Sequence, residues 1–210
     1  MKITLFGATG GTGREVLRQA LDAGHEVTAV VRDPARLDHS HPNLTVLQAD
    51  VTEPAAIGPA IAGRDAVVSA LGSRQGRAPT TICADGATGI VKAMKIEGVR
   101  RLVVVSASGM FTEGDGPLTR FLAKPILTRV LEHPFADMRR MEGLVRASGL
   151  EWTIVRPPML TDGPRTGSYR SAIDRNVRGG IRLSRADLAD CILRCLADRG
   201  PLNAAVAVGN

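Results

Sequence analysis

The stretch Gly7-Ala8-Thr9-Gly10-Gly11-Thr12-Gly13 decides the fold, because it stands between a short apolar run and a helix-like segment. Glycines with this GxxGxxG spacing permit a tight strand-to-helix turn and let backbone amides approach a diphosphate. The following helix adds free N–H groups and the positive end of its dipole. A turn without a ligand is the alternative, but the context favours a dinucleotide site. We therefore assign to cofactor binding Gly7, Thr9, Gly10, Gly11, Thr12 and Gly13.

Strand-like and helix-like segments alternate along the rest of the chain. The predicted strands are residues 2–6, 25–31, 44–47, 65–70, 101–105 and 152–155, and the predicted helices are residues 13–23, 54–62, 80–97 and 136–148. The strands are almost wholly apolar, which is typical of parallel strands covered on both faces. Residues 185–197, with Ser184 as N-cap, and residues 204–208 predict a C-terminal helix and strand. The pattern predicts one α/β domain over residues 1–210, a doubly wound Rossmann fold with a mostly parallel sheet and a short helix–strand extension.

Two segments are expected to cover a substrate. Residues 157–180 are rich in proline, glycine and polar residues, and such long loops at the carboxyl edge of a sheet usually carry function. Residues 107–135 follow the fifth predicted strand at the same edge.

The end of the second strand indicates which dinucleotide is preferred. There an acidic residue would bind the ribose of NAD, whereas an arginine would pair with the 2′-phosphate of NADP. The sequence reads Arg32-Asp33-Pro34-Ala35-Arg36. A helical turn would bring Arg36 back to the same 2′-phosphate that Arg32 would bind. NADPH is therefore favoured over NADH, although Asp33 keeps NADH open, and a surface pair between Arg32 and Asp33 is the alternative interpretation.

Two further strand ends complete the predicted groove. Asp50 and Val51 follow the third strand, and Ala70, Leu71 and Gly72 follow the fourth. Asp50 could instead cap the next helix.

Composition argues against several other classes of protein. The formal net charge is +6, but the arginines are scattered and aromatic residues make up only 3% of the chain, so a nucleic-acid surface is not expected. No apolar run reaches the roughly 18 residues of a membrane span, and the N-terminus lacks the pattern of a signal peptide. We therefore expect a cytoplasmic protein.

Cysteines and histidines suggest neither disulfides nor a metal site. Cys83, Cys191 and Cys195 form no CxxC pair, and their odd number fits reduced thiols. His39 and His41 stand in a polar turn with no further ligand nearby in sequence.

Several motifs together carry a resemblance to a known family. Besides the glycine loop they are VVRDPARL at 30–37, QADV at 48–51, SALGSR at 69–74 and RPPMLTDGPRTGSY at 156–169. With these motifs the chain resembles the atypical short-chain dehydrogenase/reductases grouped with biliverdin-IXβ reductase, also called flavin reductase, and the NmrA-like NAD(P)-binding proteins. The resemblance implies NADPH-dependent reduction of flavins or other planar conjugated acceptors. It places on cofactor-contacting positions Thr9, Gly10, Thr12, Gly13, Arg32, Arg36, Asp50, Val51, Leu71, Gly72 and Arg74.

The Tyr-Lys pair of typical short-chain dehydrogenases is missing. The aligned positions hold Pro134 and Met138, and the single tyrosine, Tyr169, lies outside that helix. Without the pair, alcohol oxidation by the usual route is not expected. Ser106 and Ser108, after the fifth strand, are the candidate catalytic residues, as donors to the nicotinamide amide or to the acceptor, although Ala107 can align with the family's serine and capping is the alternative.

A flat acceptor would need an adaptable apolar wall beside the nicotinamide. The residues predicted to form it are Met110, Phe111, Met138, Pro158 and Met159. The expected function is an NADPH-dependent reductase of a small molecule such as a flavin or quinone, acting as a monomer or weak homodimer. A non-enzymatic NADP(H)-sensing regulator of the NmrA-like type is the main alternative, and a nucleotide-sugar epimerase or dehydratase is a weaker one.

Overall fold

A computed structural model describes residues 1–73, 76–197 and 201–210. Its strands are β1 (Lys2–Phe6), β2 (Glu26–Val31), β3 (Leu44–Gln48), β4 (Ala66–Ser69), β5 (Arg101–Val105), β6 (Glu151–Arg156), β7 (Met159–Thr161), β8 (Arg170–Ile173), β9 (Arg182–Ser184) and β10 (Ala204–Gly209). Its helices are α1 (Gly11–Asp22), α2 (Pro54–Ile61), α3 (Ile82–Glu97), α4 (Lys124–Val130), α5 (Glu132–Arg146) and α6 (Arg185–Ala197). Short 3₁₀ turns form at Pro34–Arg36 and Ser108–Met110, and a π-helical segment, Thr119–Ala123, leads into α4.

The main sheet has eight strands in the order β3-β2-β1-β4-β5-β6-β10-β8. Every pair up to β10 is parallel, and β8 runs antiparallel to β10 at the edge. Strands β7 and β9 form a separate parallel pair. This topology confirms the predicted α/β Rossmann fold with a mostly parallel sheet.

Helices cover both faces of this sheet, which is why its strands are apolar throughout. On one face, Ile3 and Leu5 of β1 pack with α1 and α6. On the other face, Phe6 packs with α2, α3 and α5. Alternate residues of one strand point to opposite faces, so both layers need apolar side chains.

Element bounds differ from the predictions in the second half of the chain. Strands β7 and β8 and helix α4 lie inside the two segments expected to be loops. Strands of three or four residues show too little periodicity to be read from sequence. Helix α5 begins at Glu132 rather than at residue 136. Pro134 does not prevent this earlier start, because it falls in the first turn, where a helix does not need the N–H that proline lacks.

One sequence-based expectation can be checked locally. The Ser184 hydroxyl accepts a hydrogen bond from the Asp187 amide at 2.9 Å, which confirms Ser184 as the cap of α6. Cys83, Cys191 and Cys195 are all buried. Within the described ranges, none of the helices combines the length and apolar character that crossing a membrane requires.

Candidate cofactor site

A cleft of about 610 Å³ runs along the carboxyl ends of β2, β1, β4 and β5. In a doubly wound sheet this edge, where the strand order reverses, is where ligands bind. The predicted cofactor residues that line it are Gly7, Thr9, Gly10, Gly11, Thr12, Arg32, Arg36, Val51, Ala70, Leu71 and Gly72. It is also lined by Phe6, Arg14, Val30, Val31, Asp33, Ala49, Ser73, Ile82, Val105, Ser106, Met138, Leu160 and Arg185.

The glycine turn is held in a shape that other residues could not adopt. Gly7 has φ +83°, a left-handed conformation, and a side chain there would overlap the Ala70 carbonyl. A Cβ on Gly13 would overlap the Gly7 carbonyl, so Gly13 allows α1 to pack against the turn, and Gly13 itself does not line the described cleft. The Gly10 amide donates to the Gly7 carbonyl at 3.0 Å and closes the turn.

The N-terminus of α1 presents an open positive end to the cleft. Its N-cap, Gly10, offers no side chain, and the first turn contains no acidic residue. The first amides of a helix have no partner inside the helix, so they can bind an anion. The turn and helix therefore fit the diphosphate of a dinucleotide.

Three arginines gather at the β2 end of the cleft. Arg32 follows β2 directly, the 3₁₀ turn Pro34–Arg36 comes next, and both arginines line the cleft. Arg14 of α1, which the sequence did not single out, donates to the Arg36 carbonyl at 3.4 Å. The Asp33 carboxylate accepts from the Ala35 amide at 3.1 Å and so caps this turn. The described structure contains no ion pair between Arg32 and Asp33.

Asp50 forms hydrogen bonds within its own turn and is not among the described residues lining the cleft. Its carboxylate accepts from the Thr52 amide at 2.9 Å and from the Thr52 hydroxyl at 2.8 Å. These hydrogen bonds, with the nearby charge of Arg32, lower the pKa of Asp50. The N-cap position of α2 is Glu53, so Asp50 does not cap that helix either. The predicted contact at Arg74 lies outside the described residues.

Of the two candidate serines, Ser106 lines the cleft and Ser108 does not. Ser106 is buried, and its hydroxyl donates to Glu142 at 2.7 Å. Arg156 donates to the same carboxylate from Nε at 2.9 Å and from Nη2 at 2.5 Å. Because a serine has one hydroxyl proton, Ser106 can only accept hydrogen bonds from a ligand in the cleft.

Ser108 belongs to a turn whose backbone carbonyls are held by the side chain of Lys124. The buried Lys124 ammonium donates to the Ser108 carbonyl at 3.0 Å, contacts the Phe111 carbonyl and pairs with Asp115 at 2.5 Å. Asn176 also donates to the Phe111 carbonyl, at 2.6 Å. These contacts order the backbone after β5, and no sequence pattern indicated them.

The predicted substrate wall is only partly assembled at the cleft. Met138 lines it, at the position where typical relatives have the lysine. Met110 lines a second cavity of about 590 Å³, and the Arg156 guanidinium stacks 3.5 Å from the centroid of the Phe111 ring. Pro158 is half-buried and Met159 is 54% exposed, both away from the described lining. From the same loop it is Leu160 that reaches the cleft.

The motif around Tyr169 docks a loop onto α6. Asp187 accepts from the amides of Thr166 and Gly167 at 2.7 and 2.9 Å. The Tyr169 hydroxyl donates to the buried Asp190 at 2.7 Å. Burial and this hydrogen bond raise the pKa of Tyr169. Tyr169 is therefore a structural residue rather than a replacement proton donor.

The described residues contain no cluster of three or more His, Cys, Asp or Glu side chains placed to hold a metal ion.

Comparisons with known proteins agree with this site. A family model described as NAD(P)H-binding matches residues 7–199. The chain is 31% identical to the uncharacterised protein YwnB of Bacillus subtilis, over 92% of this chain and 91% of that protein. It is 27% identical to the reductase pytE of Aspergillus terreus, over 94% and 92% of the two chains. A short-chain dehydrogenase/reductase of Veillonella parvula, solved in complex with NADP, superposes with a TM-score of 0.84 over 100% of this chain and 94% of that chain; at 21% identity this shows a common fold.

Proposed function

Because the chain belongs to the NAD(P)H-binding family of atypical short-chain dehydrogenase/reductases, we propose that it is a reductase that uses NADPH to reduce a planar conjugated small molecule, such as a flavin or quinone. The proposal rests on one observation: the cleft has a cationic end at Arg14, Arg32 and Arg36 and an apolar end at Met138 and Leu160, joined by the glycine turn.

The cationic end supports NADPH rather than NADH. A ribose 2′-phosphate carries charge that three guanidinium groups can neutralise, and arginine binds phosphate through paired hydrogen bonds. Asp33, the residue that could favour the ribose of NADH, uses its carboxylate to cap the turn at Ala35. The NADP bound in the related Veillonella fold is consistent with this preference.

The apolar end supports direct transfer to a stacked acceptor. Bound nicotinamide supplies a hydride, and the protein needs only to orient it and limit water access. Ser106 can accept a hydrogen bond from the carboxamide N–H, while Met138, Ile82 and Leu160 supply apolar surface. The acceptor gains the hydride and one proton from solvent, so no Tyr-Lys pair is required.

A spectrophotometric assay tests the proposal. Purified protein with NADPH should reduce FMN, FAD or a simple quinone, seen as loss of NADPH absorbance, and should do so faster than with equal NADH. An Arg32→Glu variant should lose turnover at low NADPH and recover part of it at high NADPH. Cofactor oxidation at the background rate with every acceptor would contradict the proposed activity.

A second function, NADP(H) sensing without turnover, is favoured by the missing catalytic pair. Pro134 lies in the first turn of α5 and Met138 faces the cleft, so neither position supplies a proton donor. Such a sensor would bind NADPH and NADP⁺ with similar affinity or bind a protein partner in a redox-dependent way, and it would not oxidise NADPH. The same assay, run beside a binding measurement, separates the two functions.

A further inference from the structure

Arg185, the first residue of α6, lies over the glycine turn. A Cβ atom built on Gly11 would stand 2.7 Å from the Arg185 Nε and 2.8 Å from its Cδ. Gly11 is the first residue of α1, so the guanidinium group stands beside the amides that would receive a diphosphate. Arg185 also lines the cleft, although it is more than 150 residues from the glycine turn in sequence.

The backbone of Arg185 is fixed there by packing. Ser184 caps α6 just before it, and the buried Gln19 side chain of α1 donates to the Ala186 carbonyl at 2.8 Å. Helices α1 and α6 share one apolar core, in which Val16, Leu17 and Leu188 are buried. The backbone of Arg185 therefore keeps a constant position relative to α1, from which its side chain can reach a ligand bound there.

The present partner of Arg185 is a weak one. Its Nη1 pairs with Asp162 at 2.6 Å, but the Asp162 side chain is 94% exposed. Exposed ion pairs of this kind contribute little, because water screens them. The positive end of α1 adds to the charge of Arg185 at the same place, with no acidic residue in the first turn of α1 to offset it. An anion seated on Gly11 would meet both.

We propose that Arg185 is a diphosphate-binding residue, whose guanidinium turns from Asp162 to the cofactor diphosphate when the dinucleotide binds. This inference rests on the cofactor site described above and adds a cation to it. The diphosphate is common to NADP and NAD, so Arg185 should raise the affinity for both without choosing between them. In this it differs from Arg32 and Arg36, which face the group that only NADP carries.

Isothermal titration calorimetry with NADP⁺ and NAD⁺ tests the assignment. Arg185→Ala should weaken the binding of both cofactors by about tenfold. Arg185→Lys, which keeps the charge but not the paired donors, should lose less affinity. Arg182→Ala is the matched control, because it removes the same charge from the preceding strand at a residue outside the described lining. It should bind as the parent does.

The outcomes separate this inference from the proposed activity. If Arg185→Ala folds with the parent's circular dichroism and binds both cofactors within twofold of the parent, or more tightly, Arg185 is not a diphosphate ligand. A loss confined to NADP⁺ would equally overturn it. If Arg185→Ala does not fold, Arg185→Gln, which removes the charge but keeps a polar side chain, decides by the same criterion. A parent that binds cofactor but reduces no acceptor would refute the proposed activity and leave the role of Arg185 standing.

Discussion

Ser106 donates its hydroxyl hydrogen bond to Glu142 across 2.7 Å, beneath the cofactor cleft. The carboxylate is held in turn by Arg156, and all three residues are buried. The sequence predicted Ser106 as a donor to the nicotinamide or the acceptor. The structure corrects that role, because the one proton of Ser106 is already used and only its lone pairs face the cleft.

Removing Glu142 should destabilise the protein severely. Glu142→Ala would leave the Arg156 guanidinium buried without its carboxylate, and breaking such a pair costs about 3–5 kcal/mol in the free energy of unfolding. Urea denaturation measures this loss. Glu151→Ala is the control, because Glu151 pairs with the exposed Arg100. This substitution should lower the free energy of unfolding by at most about 1 kcal/mol. Equal losses of unfolding free energy in the two variants would show that the buried Glu142–Arg156 pair stabilises the fold no more than the exposed pair does.

Charge reversal at Arg32 should change cofactor preference. Arg32→Glu places a carboxylate where the 2′-phosphate would bind, so the Kd for NADPH should rise by at least about tenfold while that for NADH changes by roughly threefold or less. Fluorescence titration with each reduced cofactor measures both constants. Arg182→Glu makes the same charge change away from the described cleft and should leave both constants near the parent's. Parallel losses for NADPH and NADH would remove Arg32 from the phosphate site.

Tyr169 should contribute to stability and not to turnover. Its pKa is raised by burial and by the hydrogen bond to Asp190, so the phenol stays protonated across the working pH range. Tyr169→Phe should cost about 1–2 kcal/mol in the free energy of unfolding, since one buried hydrogen bond to a carboxylate is lost. The pH profile of kcat should be unchanged. If one of the pH-dependent transitions in the kcat profile disappeared in this variant, Tyr169 would be a group that transfers a proton.

Asp187 should make the protein sensitive to acid. Burial alone would raise the pKa of Asp187, but hydrogen bonds from Gly167, Thr166 and Ser184 outweigh it and the pKa is lowered. A lowered pKa stabilises the fold above the ordinary value of about 3.9, and this contribution is lost as pH falls through the lower folded-state pKa. In urea titrations, Asp187→Asn should therefore be less stable than the parent at neutral pH, with the difference shrinking in acid. A difference that stays constant down to strongly acidic pH would contradict this.

The three cysteines should resist thiol reagents in the native protein. All three are buried, and burial, with the charge of Asp137, raises the pKa of Cys83 to about 12. The thiolate is the reactive form, so Ellman's reagent should react only as the protein unfolds. Labelling in graded urea should follow the unfolding transition. A thiol that reacts rapidly without denaturant would show that one of these sites opens.

Local pattern was sufficient to predict the first half of the sheet and the glycine turn that we propose binds the diphosphate. Arg32 and Arg36 could be predicted because their position depends only on where β2 ends. Arg14 and Arg185 could not, because the part of α1 and the end of α6 that meet the cleft depend on how these two helices pack. Long-range packing of this kind leaves no short motif in the sequence.

The choice between Ser106 and Ser108 depended on the backbone that follows β5. Both residues would share a face if the strand continued, since side chains alternate with a period of two. The chain instead turns at Ser108–Met110 over the ammonium of Lys124, and this removes Ser108 from the cleft. Strand β8 escaped prediction for a related reason, because its partner β10 comes about thirty residues later.

The position of β10 also bears on how the chain is made. It follows all the other described strands in sequence, yet it lies between β6 and β8 with all six of its residues buried. A ribosome that has delivered only the chain up to β8 has therefore produced a sheet with a bare edge on β6 and a strand without a neighbour. The native sheet can close only when residues 204–209 have left the exit tunnel, so until then the strands already made remain exposed to chaperones.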